Sequence, residues 1–139
     1  MKMGQASRDD IEKWLGEIGL KSLEKTESGN WFFLQKSGDS AIQVNITFDE
    51  YEQPIPPMVG VGCLFLEPPQ KNQCELYKKL LELQTISLET KFGITKNGSV
   101  VLITQRSAVD LDPSELRDMI DTVLSMYNQF HDDCVSIIA

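Results

Sequence analysis

Nucleophilic catalysis needs an imidazole fixed beside a hydroxyl or thiol, and this chain offers one histidine, His131. It falls at the expected end of the last predicted helix, where a fraying terminus positions a base poorly, so it reads as a solvated helix-end residue. His131 and Cys134 stand three apart, with Asp132 and Asp133 beside them, and could share a helical face as metal ligands. A structural zinc site takes four ligands, however, and Cys63 and Cys74 stand at no ligand spacing from each other. Cys63 reads instead as a small core hydrophobe and Cys74 as a first-turn helix residue. Gly60-Val61-Gly62 lacks the third glycine of a dinucleotide fingerprint and runs on as a strand, so it reads as a place where backbone is closely approached. The carboxylate pairs Asp110/Asp112 and Glu50/Glu52 could hold Mg²⁺ or move protons, but Asp112 is placed to cap a helix and the second pair falls in a loop. No catalytic residue, cofactor site or metal site is assigned, and the chain is not expected to be an enzyme.

The elements that would position any site follow from periodicity. Ser7 and Asp10 form an N-terminal capping signal ahead of Ile11, Trp14, Leu15 and Ile18, predicting a helix over 8–18 that stops at Gly19. A short strand is expected near 20–24. The run 31–36 and the alternation Ile42, Val44, Ile46, Phe48 predict a hairpin across Gly38-Asp39. A third strand covers 58–67, closed by Pro68-Pro69. Asn72 with Glu75 reads as a capping box for a helix carrying Leu76, Leu80 and Leu83, ending near Gln84. Residues 91–106 give a second hairpin, whose Asn97-Gly98 suits a two-residue type I′ turn. Asp112-Pro113-Ser114-Glu115 then starts a third helix over about 113–131. The order α-β-β-β-α-β-β-α predicts a single α+β domain over 1–139, an antiparallel sheet of about five strands with helices mainly on one face.

Composition narrows the partners. Thirteen basic against 21 acidic residues give a net charge of −8, with no basic block to meet a phosphate backbone, so no nucleic acid is expected. The charge is uneven: −5 over residues 1–70, +3 over 71–106 and −6 over 107–139. The third helix is therefore an acidic pole, either a solvated face or a surface for basic partner segments. The longest apolar run, 58–66, is about half a membrane span, so no membrane is expected. The first ten residues lack the apolar core of a signal peptide, and the three unpatterned cysteines favour a reducing compartment. The expected location is cytoplasmic.

The sequence resembles the YbjN-like proteins, whose fold is that of type III secretion chaperones. The resemblance is carried by the Leu-rich stretch 76–83, Lys91-Phe92-Gly93-Ile94-Thr95, the Asn97-Gly98 turn, residues 100–104 and Leu111-Asp112-Pro113-Ser114-Glu115-Leu116. It implies a small acidic, non-catalytic protein, often a homodimer, that acts by binding a protein partner in a chaperone-like or regulatory role. A subunit of a larger assembly is the alternative, and a small-molecule-binding protein or enzyme a weaker one.

Turn geometry names the expected surface. A two-residue loop at Gly38-Asp39 pairs Ser37 with Ser40, Phe33 with Val44 and Trp31 with Ile46 on the core side, leaving Phe32 and Leu34 opposite. A two-residue loop at Asn97-Gly98 pairs Ile94 with Val101 and Phe92 with Ile103 on the core side, leaving Val100 and Leu102 opposite. In the third strand Val59, Val61, Cys63 and Phe65 take the core side, and Leu64 and Leu66 join the outer set. Phe32, Leu34, Leu64, Leu66, Val100 and Leu102 are thus the expected protein-binding residues, unless the first helix or the loop 49–57 covers that face. A one-residue error in either loop would exchange the faces.

Overall fold

Local signals at the helix ends set the frame of the computed structural model, which describes residues 4–20, 22–38, 40–86 and 89–139. Helix α1 (Arg8–Ile18) opens on a closed capping box: Asp10 N–H donates to Ser7 Oγ at 3.1 Å, and Ser7 N–H donates to Asp10 Oδ2 at 2.9 Å. It ends at Gly19, whose φ of 79° a side chain would strain. Six strands follow among the described residues: β1 (Glu24–Lys25), β2 (Trp31–Ser37), β3 (Ser40–Asp49), β4 (Met58–Leu66), β5 (Thr90–Ile94) and β6 (Val100–Ser107). Helix α2 (Gln73–Gln84) separates β4 from β5, and α3 (Pro113–Ile138) closes the chain. The strands form one antiparallel sheet in the order β1-β2-β3-β4-β6-β5. The α+β architecture is as expected, with β1 as a sixth, two-residue strand.

Two helix expectations need correction. The Asn72/Glu75 capping box does not form. Asn72 adopts a left-handed conformation (φ 57°), and its side-chain amide donates 2.8 Å to the Ile137 carbonyl, tying the start of α2 to the end of α3. Helix α3 runs to Ile138, seven residues past the expected end, because Cys134 keeps the apolar stripe in the core. Its start is as read, with Asp112 accepting from Glu115 N–H at 2.8 Å and Pro113 in the first turn.

One face of the sheet and all three helices share a single core. Trp31, Phe33, Val44, Ile46, Val59, Val61, Phe65, Val100 and Leu102 point inward and are almost wholly buried, against Ile11, Leu15, Leu76, Leu116, Met119 and Val123 of the helices. Each such side chain removes apolar surface worth about 1.5–3 kcal/mol from water. Polar ties hold the helices in register. The Arg8 guanidinium of α1 donates to the carbonyls of Gly29 (2.7 Å) and Phe48 (3.0 Å) and lies over the Trp31 and Phe48 rings. Trp31 Nε1 donates 3.2 Å to Glu12, whose carboxylate also meets Lys25 Nζ at 3.0 Å; both partners hold the Glu12 carboxyl below its usual range. Arg106 of β6 bridges Glu89 (2.6 Å) and Glu115 of α3 (3.3 Å).

Candidate functional site

The outer face of the sheet is built from alternate residues of five strands. Register places Phe32, Asn45, Gly62, Ile103 and Lys91 in one row across β2, β3, β4, β6 and β5. Thr47, Gly60 and Gln105 form a second row, and Leu64, Val101 and Gly93 part of a third. Leu34 and Leu64 are about half exposed, at 50% and 45%, and Phe32, Val101 and Ile103 are half-buried. Helix α1 packs on the opposite face, through Ile11 and Leu15, and Tyr51 and Ile55 of the 49–57 loop are themselves exposed. Neither element covers the outer side chains.

Glycine gives this face its relief. A side chain at Gly60 would place Cβ 2.7 Å from Thr47 Oγ1, and one at Gly62 would meet the Leu102 carbonyl at 3.0 Å. The two glycines leave a depression of about 360 Å³ along β4, walled by Asn45 and Thr47 on one side and by Val101, Ile103 and Gln105 on the other. The close approach expected of Gly60-Val61-Gly62 is thus made to the neighbouring strands.

Three of the six expected surface residues sit elsewhere. Phe32, Leu34 and Leu64 lie on the outer face, whereas Val100 and Leu102 are fully buried in the core. The Asn97-Gly98 loop has three residues, not two. Gly98 N–H donates to the Thr95 carbonyl and Thr95 N–H to the Ser99 carbonyl, each at 2.9 Å, with Gly98 at φ 91°. This type I turn followed by a left-handed glycine pairs Ile94 with Val100 and Phe92 with Leu102. The one-residue shift exchanges the faces of β6 and brings Val101 and Ile103 outward in place of Val100 and Leu102. Leu66 is also buried, because β4 bulges between Leu64 and Leu66, and Phe65 and Leu66 together oppose Val100. Four consecutive apolar residues in β6 erase the alternation; the available signal was Gln105, whose exposure puts Ile103 and Val101 on its own side. The Gly38-Asp39 hairpin has the expected register, including Ser37 with Ser40, although Asp39 lies outside the described residues.

The chemically capable side chains do not converge. His131 lies within α3, not at its end, stacked on Tyr127 with ring centres 4.4 Å apart and edge-on to Phe65 at 5.5 Å. Its neighbour Cys134 is buried, as is Cys63, whose thiol burial pushes up to about 12; Cys74 is exposed. Burial also raises the Tyr127 hydroxyl and the Cys134 thiol. Among the described residues, no three His, Cys, Asp or Glu side chains gather where a metal ion could be held. Asp112 is occupied as the α3 cap. Among the described residues, no helix is long and apolar enough to cross a membrane.

With an α+β sheet bare on one side, the chain can be set against known structures. Its fold is that of the type III secretion chaperones. It matches the Yersinia pestis type III secretion chaperone SycH, solved in complex with a stable fragment of YscM2, with a TM-score of 0.57 and 16% identity over 84% of this chain and 92% of that one. It also matches one chain in the structure of the heterodimeric ExoU-SpcU complex from the type III secretion system of Pseudomonas aeruginosa, with a TM-score of 0.57 and 14% identity over 92% of this chain and 97% of that one. No protein-family model and no curated protein matches it by sequence.

Proposed function

We propose that this protein is a non-catalytic protein-binding module, chaperone-like or regulatory in role and YbjN-like in kind. The observation that carries this reading is the outer face of the sheet, where Leu64, Val101 and Ile103 line the depression over Gly60 and Gly62, and Phe32 and Leu34 stand on β2 beyond Gln43 and Asn45. Scattered surface leucines need no partner, but apolar side chains gathered along a depression on the outer side of a sheet are what an interface uses. Solved proteins of this fold support the reading, since they are described in complex with other proteins. The partner meets an apolar centre first, and Asp118, Asp121, Asp132 and Asp133, exposed along α3, offer a separate acidic face to basic segments.

The natural setting in this reading is the cytoplasm, and the same outer face pairs two copies as a homodimer where no other partner occupies it. A stable pair needs roughly 1,000 Å² of buried surface. Replacing Leu34 and Ile103 by Asp tests both statements, because each substitution puts a charge into the proposed interface without entering the core. Light scattering of the unchanged protein at micromolar concentration should give the dimer mass, and the double variant the monomer mass. Affinity capture from lysate should lose its bound protein in the variant. Capture of one stable multi-protein complex would favour an assembly subunit, and capture unaffected by both charges would discard this face as the binding surface.

A further inference from the structure

The Tyr127 and His131 rings stand about one turn apart on α3 and lie nearly parallel, with centres 4.4 Å apart and planes 12° from each other. Phe65 of β4 meets both edge-on, at 5.6 Å and 5.5 Å. The protein-binding reading makes no use of this aromatic group. Both α3 rings stay partly exposed, and both border a cleft of about 760 Å³. The cleft opens past the last rung between β3 and β4, Val44↔Cys63, where Ala41 and Gln43 form one wall and Leu64 to Glu67 the other. Sites for small molecules hold roughly 300–1,000 Å³.

The polar groups of this cleft are mostly acceptors. Pro68 and Pro69 contribute carbonyls and have no N–H to donate. Gln70 and Gln73 already donate to those carbonyls, at 3.4 Å and 3.2 Å, but each oxygen has a second lone pair. Gln43 Nε2 donates to Asn45 Oδ1 at 3.0 Å, which leaves the Gln43 side-chain oxygen as a further acceptor. Glu67 is the one carboxylate on the walls, and it has no basic partner among the described residues. Asp132, 3.7 Å from His131 Nδ1, adds negative potential at this end of α3. No Lys or Arg lines the cleft among the described residues, so an entering phosphate or carboxylate would lose water without gaining a counter-charge.

We infer that this cleft binds a small molecule: a flat aromatic ring that bears an exocyclic amino or amidinium group and carries no phosphate or carboxylate. The flat ring follows from Phe65, Tyr127 and His131, which present ring planes in two perpendicular directions and so offer both stacked and edge-on contact. The donor edge follows from Glu67, the two proline carbonyls and Gln43. An aliphatic ligand would fill the same volume but leave those acceptors desolvated and unpaired. The site shares only Asn45 and Leu64 with the depression over Gly60 and Gly62, and it stands independently of the protein-binding reading.

Proton NMR of the full-length chain, titrated at fixed pH with benzamidine and separately with adenine, tests the inference. His131 is the one histidine in the chain, so its imidazole resonances report on the cleft without ambiguity. Both probes should shift those resonances saturably at millimolar concentration or below. Benzoate, which keeps the ring and reverses the charge, and acetamidine, which keeps the amidinium and loses the ring, should each bind at least about tenfold more weakly than benzamidine. Glu67→Gln should weaken benzamidine by about tenfold, and Ala41→Trp, which fills the mouth, should weaken both probes by a similar factor. Both positions are exposed, so unchanged thermal unfolding certifies the variants, and either one suffices. Benzoate or acetamidine binding as tightly as benzamidine would overturn the proposed ligand class. Shifts confined to the Val101 and Ile103 methyls, or a His131 signal unmoved by both probes, would overturn the cleft as a site, with the outer face still judged by its own charged variants.

Discussion

The two faces of β4 are made from the same nine residues, yet they do opposite things. Val59, Val61, Cys63 and Phe65 fill the inner side and are at most 2% exposed, whereas Met58, Gly60, Gly62 and Leu64 leave the outer side hollow. Polarity does not separate the sets, since neither contains a charge. Side-chain volume does. The inner face fills the space between sheet and helices, which a domain must do to reach interior packing density. The outer face withholds volume at its centre and keeps apolar atoms around the rim, which suits a surface that another chain completes.

The sharpest break of that comparison is between neighbours. Leu102 and Ile103 are adjacent in β6 and differ only in face. Leu102→Ala should cost about 2–5 kcal/mol, the range for truncating a fully buried leucine. Ile103→Ala should cost less, about 1 kcal/mol, because its side chain is only partly buried and lies on the outer face. Urea unfolding of the two variants measures the difference, and similar costs would show that the outer face is packed in solution.

Alkaline pH probes the inner face next. The Cys63 thiol is pushed up to about 12 by burial, from a usual value of 9.0. Between those values the unfolded chain loses the proton and the folded one keeps it, so stability is full below pH 9 and falls as pH rises. The slope approaches ~1.4 kcal/mol per pH unit at most. Tyr127, also raised by burial, acts in the same sense above its own usual value. Cys63→Ala should flatten the fall seen in denaturant titrations from pH 9 upward without removing it. An unchanged slope would place the sensitivity elsewhere.

Filling the hollow is the third test. Gly60→Ala brings a Cβ to 2.7 Å from Thr47 Oγ1, so one of the two must shift, at about 1–3 kcal/mol. Thr47→Ala in the same molecule should recover most of that cost, and the double-mutant cycle measures the recovery. Independent, additive costs would mean that the backbone, not Thr47, limits the space.

Much of this was legible from local chemistry. Ser7 with Asp10, and Asp112 with Pro113 and Glu115, are capping signals whose partners lie within three residues, and they mark the starts of α1 and α3. Asn72 carries the same signal and fails, because its amide meets the Ile137 carbonyl, 65 residues away. The two hairpins divide similarly. In β3 the apolar residues alternate with polar ones and fix its face, and the two-residue turn carries that register onto β2, whose run Trp31-Phe32-Phe33-Leu34 has no alternation of its own. In β6 the run Val100-Val101-Leu102-Ile103 carries no alternation, and the face depends on whether the Asn97-Gly98 loop holds two residues or three. Thr95 decides it: its hydroxyl bonds to Asn97 and accepts from Ser99 N–H, drawing both loop ends into the turn.

The smallest expected stability effect carries the most functional weight. Phe32 and Ile103 occupy the same outer row, one on each side of Asn45 and Gly62, so a pair of serines there removes the Ile103 wall of the depression and the apolar side chain beyond its Asn45 wall. Each side chain is half-buried, and serine leaves no unsatisfied group on a face open to water, so the double variant should unfold within about 1 kcal/mol of the unchanged protein. Dimerisation or partner capture should nevertheless fall by at least about tenfold, since a partner loses the apolar surface that these two side chains still present to it. Unfolding would mean that the row is structural and that some element covers it in solution. Full retention of binding by a stable double variant would leave the hollow of β4 without a use at its rim.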